Sequence, residues 1–164
     1  MRAVLFAAAF ALAACQQTSQ ATGPAADPAA ATAFLAKNKT AEGVITTASG
    51  LQYRYVRKGP TDRPLAREGD DVKVHYEGKL LDGRIFDSSY REGVPAVFTV
   101  GDLVDGWDEA LQLMRPGDEI TLWLPPALGY GEEGAPPDIP GNSVLVFRME
   151  LLDVLPKSGG AAFG

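Results

Sequence analysis

The chain has 164 residues, of which 46% are hydrophobic and 22% charged, a composition typical of one folded domain of ordinary density. The net charge of −6 at pH 7 and the lack of basic runs in the sequence argue against a nucleic-acid partner. Cys15 is the only cysteine, so a disulfide within the chain is excluded.

The N-terminal stretch MRAVLFAAAFALAAC has the pattern of an export signal. Arg2 gives it a basic start, and the apolar run from Ala3 to Ala14 is too short to span a bilayer. The stretch ends in LAAC, which resembles the lipobox of bacterial lipoproteins, in which the cysteine becomes the lipid-carrying N-terminus. We therefore expect residues 1–14 to be a signal peptide and Cys15 to be lipidated. Ordinary signal cleavage beside an incidental cysteine is the alternative.

Residues 15–42 have the composition of a flexible, lipid-anchored tether. From residue 16 to residue 33 the sequence holds no aromatic side chain, and Pro24 and Pro28 interrupt the alanines. A short helix is predicted within AFLAKNKTAEG, at the end of the tether.

The folded domain is expected to span residues 43–156, followed by a disordered tail at residues 157–164. Since few apolar side chains lie between Gln16 and Ala33, we expect the domain from about Gly43 to fold alone and the tether to add no stability.

Short strands account for most of this domain. DVKVHYEG alternates Val72, Val74 and Tyr76 with polar residues, the pattern of a half-buried strand. Asp82 and Gly83 form a hairpin turn pair. The other predicted strands are LQYRYV, RIFD, AVFTV, ITLWL and VLVFRMELLDV.

The segment DGWDEALQLMRPG breaks the alternation of the strands and predicts a helix. Its apolar residues recur at helical spacing and form one face: Trp107, Ala110, Leu111 and Met114. Asp105 is predicted to cap the helix, and Pro116 and Gly117 to end it. A sheet needs a cover on one face, and this helix is the candidate. The predicted fold class is α+β, a twisted antiparallel β-sheet with one short α-helix packed across it.

The segment GYGEEG, residues 129–134, matches the pattern G-x-G-x-x-G of a dinucleotide-binding turn. That turn needs a helix after it, because the pyrophosphate binds at the helix N-terminus. The prolines of APPDIPG rule out a helix here, and Glu132 and Glu133 would repel a phosphate. We therefore interpret GYGEEG as a glycine-rich loop that follows a strand.

Several motifs resemble those of one enzyme family, and they occur in the same order. VHYEG, DGRIFDSS, VDGWDEALQLMRPGDEITLWLPPALGYGEEG and IPGNSVLVFRMELLDV together resemble the FKBP-type peptidyl-prolyl cis-trans isomerases, from about Gly50 to Leu155. FLAKNKTAEGVITTASGLQY is similar to the segment that precedes this domain in the bacterial, Mip-like branch. The tether has no counterpart of that branch's long dimerising helix, so a monomer is expected.

The resemblance implies a pocket for a proline ring. Trp107 would form its floor. Leu103 and Val104 would lie along the substrate, where a backbone N–H would bond its carbonyl group. Asp87 and Tyr130 would be polar groups at the rim, with GYGEEG as the start of a flap that presents Tyr130. The walls would be Tyr76, Phe86, Phe98 and Phe147, with Ile139 on the flap above. The catalytic groups implied are Tyr76, Asp87 and Tyr130.

Without the family, the same residues have plainer interpretations. Phe86, Phe98 and Phe147 would be ordinary core residues, and Asp87 would cap the end of a strand. His75 falls on the polar face of its strand and is expected at the surface. No metal, cofactor or covalent nucleophile is implied.

The implied function is acceleration of Xaa–Pro bond rotation in exported proteins by desolvation in an apolar pocket and by hydrogen bonding. The partners would be proline-containing polypeptides of the bacterial cell envelope, where the lipid anchor would hold the protein on a membrane facing the periplasm. Macrolide inhibitors such as rapamycin would be further ligands, although Ala96 and Gly129 depart from the family's common pattern. The alternatives are a non-enzymatic proline-peptide-binding or chaperone module with the same pocket, and a purely structural lipoprotein.

Cys15→Ser is expected to release the protein from membranes. A lipid anchor draws its affinity from buried CH₂ groups, at about 0.8 kcal/mol each, and the substitution removes the atom that would carry the lipid. Fractionation of cells that express the variant measures the effect, with Thr18→Ser in the tether as the control. Membrane association that persists in the Cys15→Ser protein would contradict the anchor.

Overall fold

The computed structural model describes residues 26–155. The predicted signal peptide (1–14), Cys15 and the predicted tail (157–164) lie outside the described residues. Across residues 26–155, no helix combines the length and the apolar character needed to cross a membrane.

The secondary structure follows the predicted order. The helices are α1 (Pro28–Asn38), α2 (Ser89–Glu92) and α3 (Asp105–Gln112), with a 3-10 helix at Pro126–Leu128. The strands are β1 (Ile45–Thr46), β2 (Gln52–Arg57), β3 (Asp71–Leu80), β4 (Ile85–Ser88), β5 (Ala96–Thr99), β6 (Glu119–Leu124) and β7 (Leu145–Leu155). Every strand predicted from the sequence is confirmed, whereas β1, α2 and the 3-10 helix were not predicted.

The strands form one seven-stranded antiparallel sheet in the order β1-β2-β6-β7-β3-β4. β3 and β7 pair along their whole length, from Asp71 opposite Leu155 to Leu80 opposite Leu145. The other edge of β3 is shared, because β4 pairs with residues 77–79 and β5 pairs with residues 71–74. This split edge places the two short strands end to end beside one long strand. The predicted fold class is confirmed.

Helix α3 packs across one face of the sheet, as the apolar spacing predicts. Its inward residues and the residues they meet are fully or almost fully buried: Trp107, Ala110, Leu111, Met114, Ile120, Leu122 and Leu124. Gly106 allows the close approach, since a Cβ there would lie 2.6 Å from Cγ of Leu124. The helix therefore lies directly on β6.

The predicted cap of this helix is wrong. Asp105 is the first helical residue, and the N-cap is Val104, which makes no side-chain cap hydrogen bond. Instead, the carboxylate of Asp108 accepts hydrogen bonds from the N–H groups of Gly101 (2.7 Å) and Leu103 (3.3 Å). The carboxylate of Asp108 thus holds the loop that precedes α3 and does not cap the helix. It can do so because Gly101 and Leu103 of that loop direct their N–H groups toward the first turn of the helix.

The tether prediction fails for its last residues. Helix α1 begins at Pro28 rather than at Ala33, and the carboxylate of Asp27 caps it by accepting from the N–H of Ala29 at 2.9 Å. Pro28 suits the first helical position, where its missing N–H costs nothing. The alanines that were interpreted as a tether are therefore helical, since a capped, alanine-rich segment favours a helix.

Helix α1 is joined to the sheet through a buried amide. Gln52 on β2 is 3% exposed; its Nε2 donates to the carbonyl of Leu35 at 2.9 Å, and its Oε1 accepts from Nδ2 of Asn38 at 2.8 Å. A buried polar group left without partners costs about 1–3 kcal/mol. Residues before Gly43 therefore contribute contacts to the domain, contrary to the expectation from composition.

Candidate active site

One cavity of about 170 Å³ opens where β3, β4, β5 and the start of α3 meet the loop after β6. Its lining consists of Tyr76, Phe86, Asp87, Phe98, Leu103, Val104, Trp107, Tyr130 and Phe147. The structure thus brings together every residue that the resemblance assigned to the site except Ile139.

Trp107 forms the base of this cavity and is 5% exposed. Three rings meet it at nearly right angles: Tyr76 at 5.0 Å between centroids, Phe147 at 5.2 Å and Phe98 at 5.5 Å. Such edge-to-face pairs stabilise by about 0.5–1.5 kcal/mol each beyond area burial. The rings come from separate elements, so the cluster fixes α3 relative to β3, β5 and β7.

Gly78 makes room for the aromatic wall. The inward residues of β3 alternate as Val72, Val74, Tyr76, Gly78 and Leu80. A Cβ on Gly78 would lie 2.5 Å from Cε1 of Phe147 and 2.7 Å from Cζ of Phe86, whose rings pack edge to face at 5.6 Å. Sequence reasoning missed this residue, although a glycine at an inward position of an otherwise apolar alternation is a detectable signal.

A bulge in β4 lets two consecutive residues line the cavity. Gly78 pairs with Asp87 but Lys79 pairs with Ile85, so Phe86 is the extra residue on its strand. Consecutive side chains of a regular strand point to opposite faces, and a bulge re-aims one of them. Phe86 and Asp87 therefore both reach the cavity.

Tyr76 and Asp87 form a hydrogen-bonded pair at the rim. The hydroxyl of Tyr76 donates to Oδ2 of Asp87 at 2.6 Å. Burial, together with this hydrogen bond, raises the pKa of Tyr76 well above its usual range. Tyr76 is therefore a protonated donor throughout the neutral range, and it orients the carboxylate of Asp87, a residue that is otherwise exposed.

The residues that precede α3 supply backbone groups to the cavity. Leu103 and Val104 line it, and within residues 26–155 the N–H of Val104 donates no hydrogen bond, whereas that of Leu103 is directed to Asp108. A backbone donor without a partner next to an apolar cavity is available to a carbonyl group of a ligand.

The flap loop, residues 125–144, brings Tyr130 to the lining of the cavity. Gly131 (φ 63°) and Gly134 (φ 70°) have left-handed backbones, and a Cβ on Gly134 would lie 2.3 Å from the carbonyl oxygen of Ile139. Turns, not a helix, follow β6 and the 3-10 helix. The glycines of GYGEEG thus serve the folding of the loop on itself, which agrees with the loop interpretation over the nucleotide one.

Ile139 lies on the flap loop but not in the cavity lining. It exchanges backbone hydrogen bonds with Ala135 (2.8 and 3.0 Å) and is 5% exposed within the hydrophobic core. Ile139 is therefore a buried core residue and does not line the cavity.

His75 and Trp123 both lie away from the cavity. Nδ1 of His75 lies 2.9 Å from the hydroxyl of Ser89, and its ring stacks on Tyr90 at 4.7 Å. Trp123 faces away from the core side of β6, with the guanidinium of Arg54 5.9 Å from its ring. Neither His75 nor Trp123 lines the cavity.

The cavity suits a small apolar ring with adjacent polar groups. Aromatic rings form its base and walls, while the Asp87 carboxylate and the hydroxyl of Tyr130 are at its edge. Among residues 26–155, no group of three or more His, Cys, Asp or Glu side chains is placed to hold a metal ion.

Comparison with known proteins finds two family profiles in the chain. "FKBP-type peptidyl-prolyl cis-trans isomerase" matches residues 63–152, and "Domain amino terminal to FKBP-type peptidyl-prolyl isomerase" matches residues 3–54. The second match supports the resemblance of the preceding segment, and it also spans the stretch interpreted as a signal peptide and tether.

Curated relatives include peptidyl-prolyl cis-trans isomerase Mip of Coxiella burnetii, 45% identical over 76% of this chain and 54% of that protein. The FKBP-type 22 kDa peptidyl-prolyl cis-trans isomerase of Escherichia coli is 47% identical over 74% of this chain and 58% of that protein. The chain thus spans about half the length of the curated relatives it matches.

Solved structures with the same fold include FkpA from Escherichia coli, with a TM-score of 0.74 and 41% identity over 78% of this chain and 59% of that one. A peptidyl-prolyl cis-trans isomerase from Pseudomonas syringae has a TM-score of 0.72 and 34% identity over 81% of this chain and 99% of that one.

Gly78→Ala is expected to destabilise the protein by about 1–3 kcal/mol, the usual cost of overpacking a core. The new methyl group would overlap the rings of Phe86 and Phe147. Thermal unfolding measures the change, and near-ultraviolet circular dichroism reports the displaced aromatic rings. Lys79→Ala, at the next and exposed position of β3, is the control. An unchanged melting temperature for Gly78→Ala would show that the wall does not depend on the missing side chain.

Proposed function

The chain belongs to the FKBP-type peptidyl-prolyl cis-trans isomerase family, and from this premise we propose that it catalyses the cis–trans rotation of Xaa–Pro peptide bonds. The observation that carries the proposal is the aromatic cavity on Trp107, whose volume of about 170 Å³ suits a proline ring. Its only charged lining residue is Asp87, which lies at the edge.

The barrier that the protein would lower has a known origin. Rotation about a peptide bond costs about 18–20 kcal/mol because the C–N bond has partial double-bond character. The resonance form responsible for this separates charge, so an apolar surrounding disfavours it relative to water. A twisted amide has lost that resonance and is bound better than the planar one. Differential binding of about 7 kcal/mol gives roughly a 10⁵-fold acceleration.

Each group has a role in this scheme. The proline ring stacks on Trp107, between the walls of Phe86, Phe98 and Phe147, which exclude water from the amide. The N–H of Val104, which has no partner among residues 26–155, donates to a substrate carbonyl and fixes the plane of one side of the rotating bond. These roles rest on the positions of the groups around the cavity.

The polar groups at the rim complete the scheme. Tyr76 holds the carboxylate of Asp87 by its hydrogen bond, so that the carboxylate faces the rotating amide in a fixed orientation. Tyr130 lines the cavity from the flap loop, and its hydroxyl donates to the substrate from there. A twisted amide nitrogen and carbonyl both gain from such preorganised dipoles.

We further propose that the protein acts on proline-containing polypeptides of the bacterial cell envelope, held to a membrane by a lipid on Cys15. The basis for this location is the sequence of residues 1–15 alone. Macrolide inhibitors such as rapamycin are proposed as further ligands of the same cavity. Gly129, a departure from the common family pattern, has a local reason: a Cβ there would lie 3.1 Å from Cδ1 of Leu145.

Phe86→Ala and Trp107→Leu are each expected to lower kcat/KM about ten-fold or more, since each removes part of the surface that binds the twisted amide, and ten-fold corresponds to about 1.4 kcal/mol. Trp123→Phe, a change of the protein's other tryptophan on the outer face of β6, is expected to leave kcat/KM nearly unchanged. A protease-coupled assay with a short Xaa-Pro peptide measures all of these.

Unfolding curves of the same variants separate lost folding from lost catalysis. Full turnover in the Phe86→Ala protein would overturn the assignment of the pocket. A folded wild-type protein that binds proline peptides without turnover would support the alternative of a non-enzymatic binding or chaperone module.

The rate is expected to be nearly flat with pH from about 6 to 8, because rotation needs no proton transfer and general acid–base catalysis would produce a bell-shaped profile. Tyr76 has a raised pKa, so it stays protonated in this range and is lost as a donor only at strongly alkaline pH. Histidine is the side-chain type that ordinarily titrates between pH 5 and 8, and His75 is the only one in the chain.

The measurement compares kcat/KM of the wild-type and His75→Ala proteins at several pH values and constant ionic strength. Since His75 bonds Ser89 outside the cavity, the two profiles should run parallel. A steep titration that disappears in His75→Ala would make His75 catalytic and contradict the desolvation mechanism.

A further inference from the structure

The position of Tyr130 depends on the backbone of the flap loop. Tyr130 is 43% exposed, so packing holds its side chain only in part. Its neighbours are tied within the loop: Gly131 N–H donates to the carbonyl of Pro126 (2.8 Å), Asn142 N–H to that of Gly131 (2.8 Å), and Gly134 N–H to that of Tyr130 (3.0 Å). We call the part of the loop that follows β6 the outgoing half and the part that leads into β7 the returning half. Because Asn142 of the returning half bonds Gly131, a movement of the returning half also moves Tyr130 in the outgoing half.

Ala26, which lies just before the N-cap of helix α1, bonds the returning half of this loop. The N–H of Ala26 donates to the carbonyl of Gly141 at 2.8 Å. Gly141 is packed directly under the outgoing half, because a Cβ there would lie 1.9 Å from the carbonyl oxygen of Glu132. A fixed Gly141 thus restrains Glu132, which is close in sequence to Tyr130.

Ala31 continues the contact along the helix. It is 6% exposed and lines two cavities that flank α1, of about 340 Å³ and 330 Å³. The first also includes Pro140, Asn142 and Ser143 from the returning half of the flap loop. The second includes Pro126, Ala127, Gly131 and Glu132 from the outgoing half. One buried alanine of α1 thus lines cavities shared with both halves of the loop.

We propose that α1 braces the flap loop and that Ala26 and Ala31 are positioning residues for Tyr130 in the isomerase reaction. This inference rests on the proposed function. A loop held in its binding conformation loses less entropy when substrate binds, so a brace lowers the cost of binding and of orienting the substrate. The segment before the catalytic domain therefore sets how well the cavity works, as well as adding stability through Gln52.

The first test places a charge in the contact. Ala31→Asp puts a carboxylate where the side chain is buried, which releases α1 from the loop, and Ala33→Asp puts the same group at an exposed position of the same helix. In the full chain, Ala31→Asp is expected to lower kcat/KM about three- to ten-fold, the range typical of coupling between residues in contact. Ala33→Asp is expected to leave it unchanged.

A second pair of variants changes only the hydrogen bond. Ala26→Pro removes the N–H that donates to Gly141, and Ala26→Gly keeps it. The expected order of kcat/KM is Ala26→Gly equal to wild type and Ala26→Pro below it. Asn38→Ala loosens the far end of α1 at Gln52 and serves as the control for stability, because it should lower the melting temperature with little effect on kcat/KM.

Tyr130→Ala separates a brace from general destabilisation. If α1 acts through Tyr130, Ala31→Asp in the Tyr130→Ala background should change kcat/KM by less than about two-fold. An equal loss in both backgrounds, or a lowered melting temperature with unchanged kcat/KM, would overturn the proposal and leave α1 as a stabilising element only.

Amide hydrogen exchange gives a readout that does not need activity. The N–H groups of Gly131, Gly134 and Asn142 are expected to exchange faster in Ala31→Asp than in Ala33→Asp. Faster exchange in a protein that proves inactive would remove the isomerase proposal but keep the brace. Unchanged exchange at these amides would refute the brace even in an active enzyme.

Discussion

The pairing of β3 with β7 is the constraint on which the rest of the structure depends. Residues 71–80 and 145–155 lie side by side over their whole length, and the residues of both strands that face α3 are buried. Tyr76 and Phe147 project from this pair toward α3, where both meet Trp107. A slip of one residue in the register would put the two rings on opposite faces of the sheet, so that only one of them could meet Trp107. The stability of the core and the geometry of the cavity are thus set by the same contacts.

The cavity has walls of two kinds. Trp107, Phe98 and Phe147 are held by strands, a helix and edge-to-face contacts, so the base is rigid. Tyr130 is carried by a loop whose turns need glycine, and its side chain is half exposed. A rigid apolar base suits the ring of the substrate, which does not change during rotation. The amide does change, and under the proposed function it meets polar groups from both kinds of wall: the Tyr76–Asp87 pair on β3 and β4, and Tyr130 on the loop.

Much of the fold could be predicted from the sequence, because alternation and helical spacing are local properties. The alternation of apolar and polar residues predicted β3 and β7, and the helical spacing of the apolar residues from Trp107 to Met114 predicted α3. Local pattern could not find the bulge at Phe86, which is defined by pairing with β3, nor the acceptor role of Asp108, which depends on where Gly101 and Leu103 lie in space. Composition also did not predict the start of α1 at Pro28. The contact of this helix with Gln52 joins segments that are distant in sequence, so local pattern could not predict it.

The candidate site was assigned from the resemblance to the family and not from the hydrophobic pattern of the sequence. Aromatic residues at inward positions of strands are equally good core residues, and only the family pattern separated Phe86 and Phe98 from ordinary core. The resemblance did not identify Gly78, whose function is the space it leaves for two rings. It assigned Ile139 to the cavity, whereas Ile139 is buried in the core and does not line it. Family motifs could identify residues that would contact the ligand, but they did not identify Gly78, which acts by leaving space for its neighbours.

The hydrogen bond from the N–H of Ala26 to the carbonyl of Gly141 joins the segment before the domain to the loop that carries Tyr130. The isomerase profile covers residues 63–152. Ala26 and Ala31 lie before that region and still reach the loop that carries Tyr130. The base of the cavity is therefore held by the sheet and by α3, whereas the loop that carries Tyr130 also contacts the segment before the domain. A family can then vary the segment before the domain and change the activity of the cavity without changing a residue that lines it.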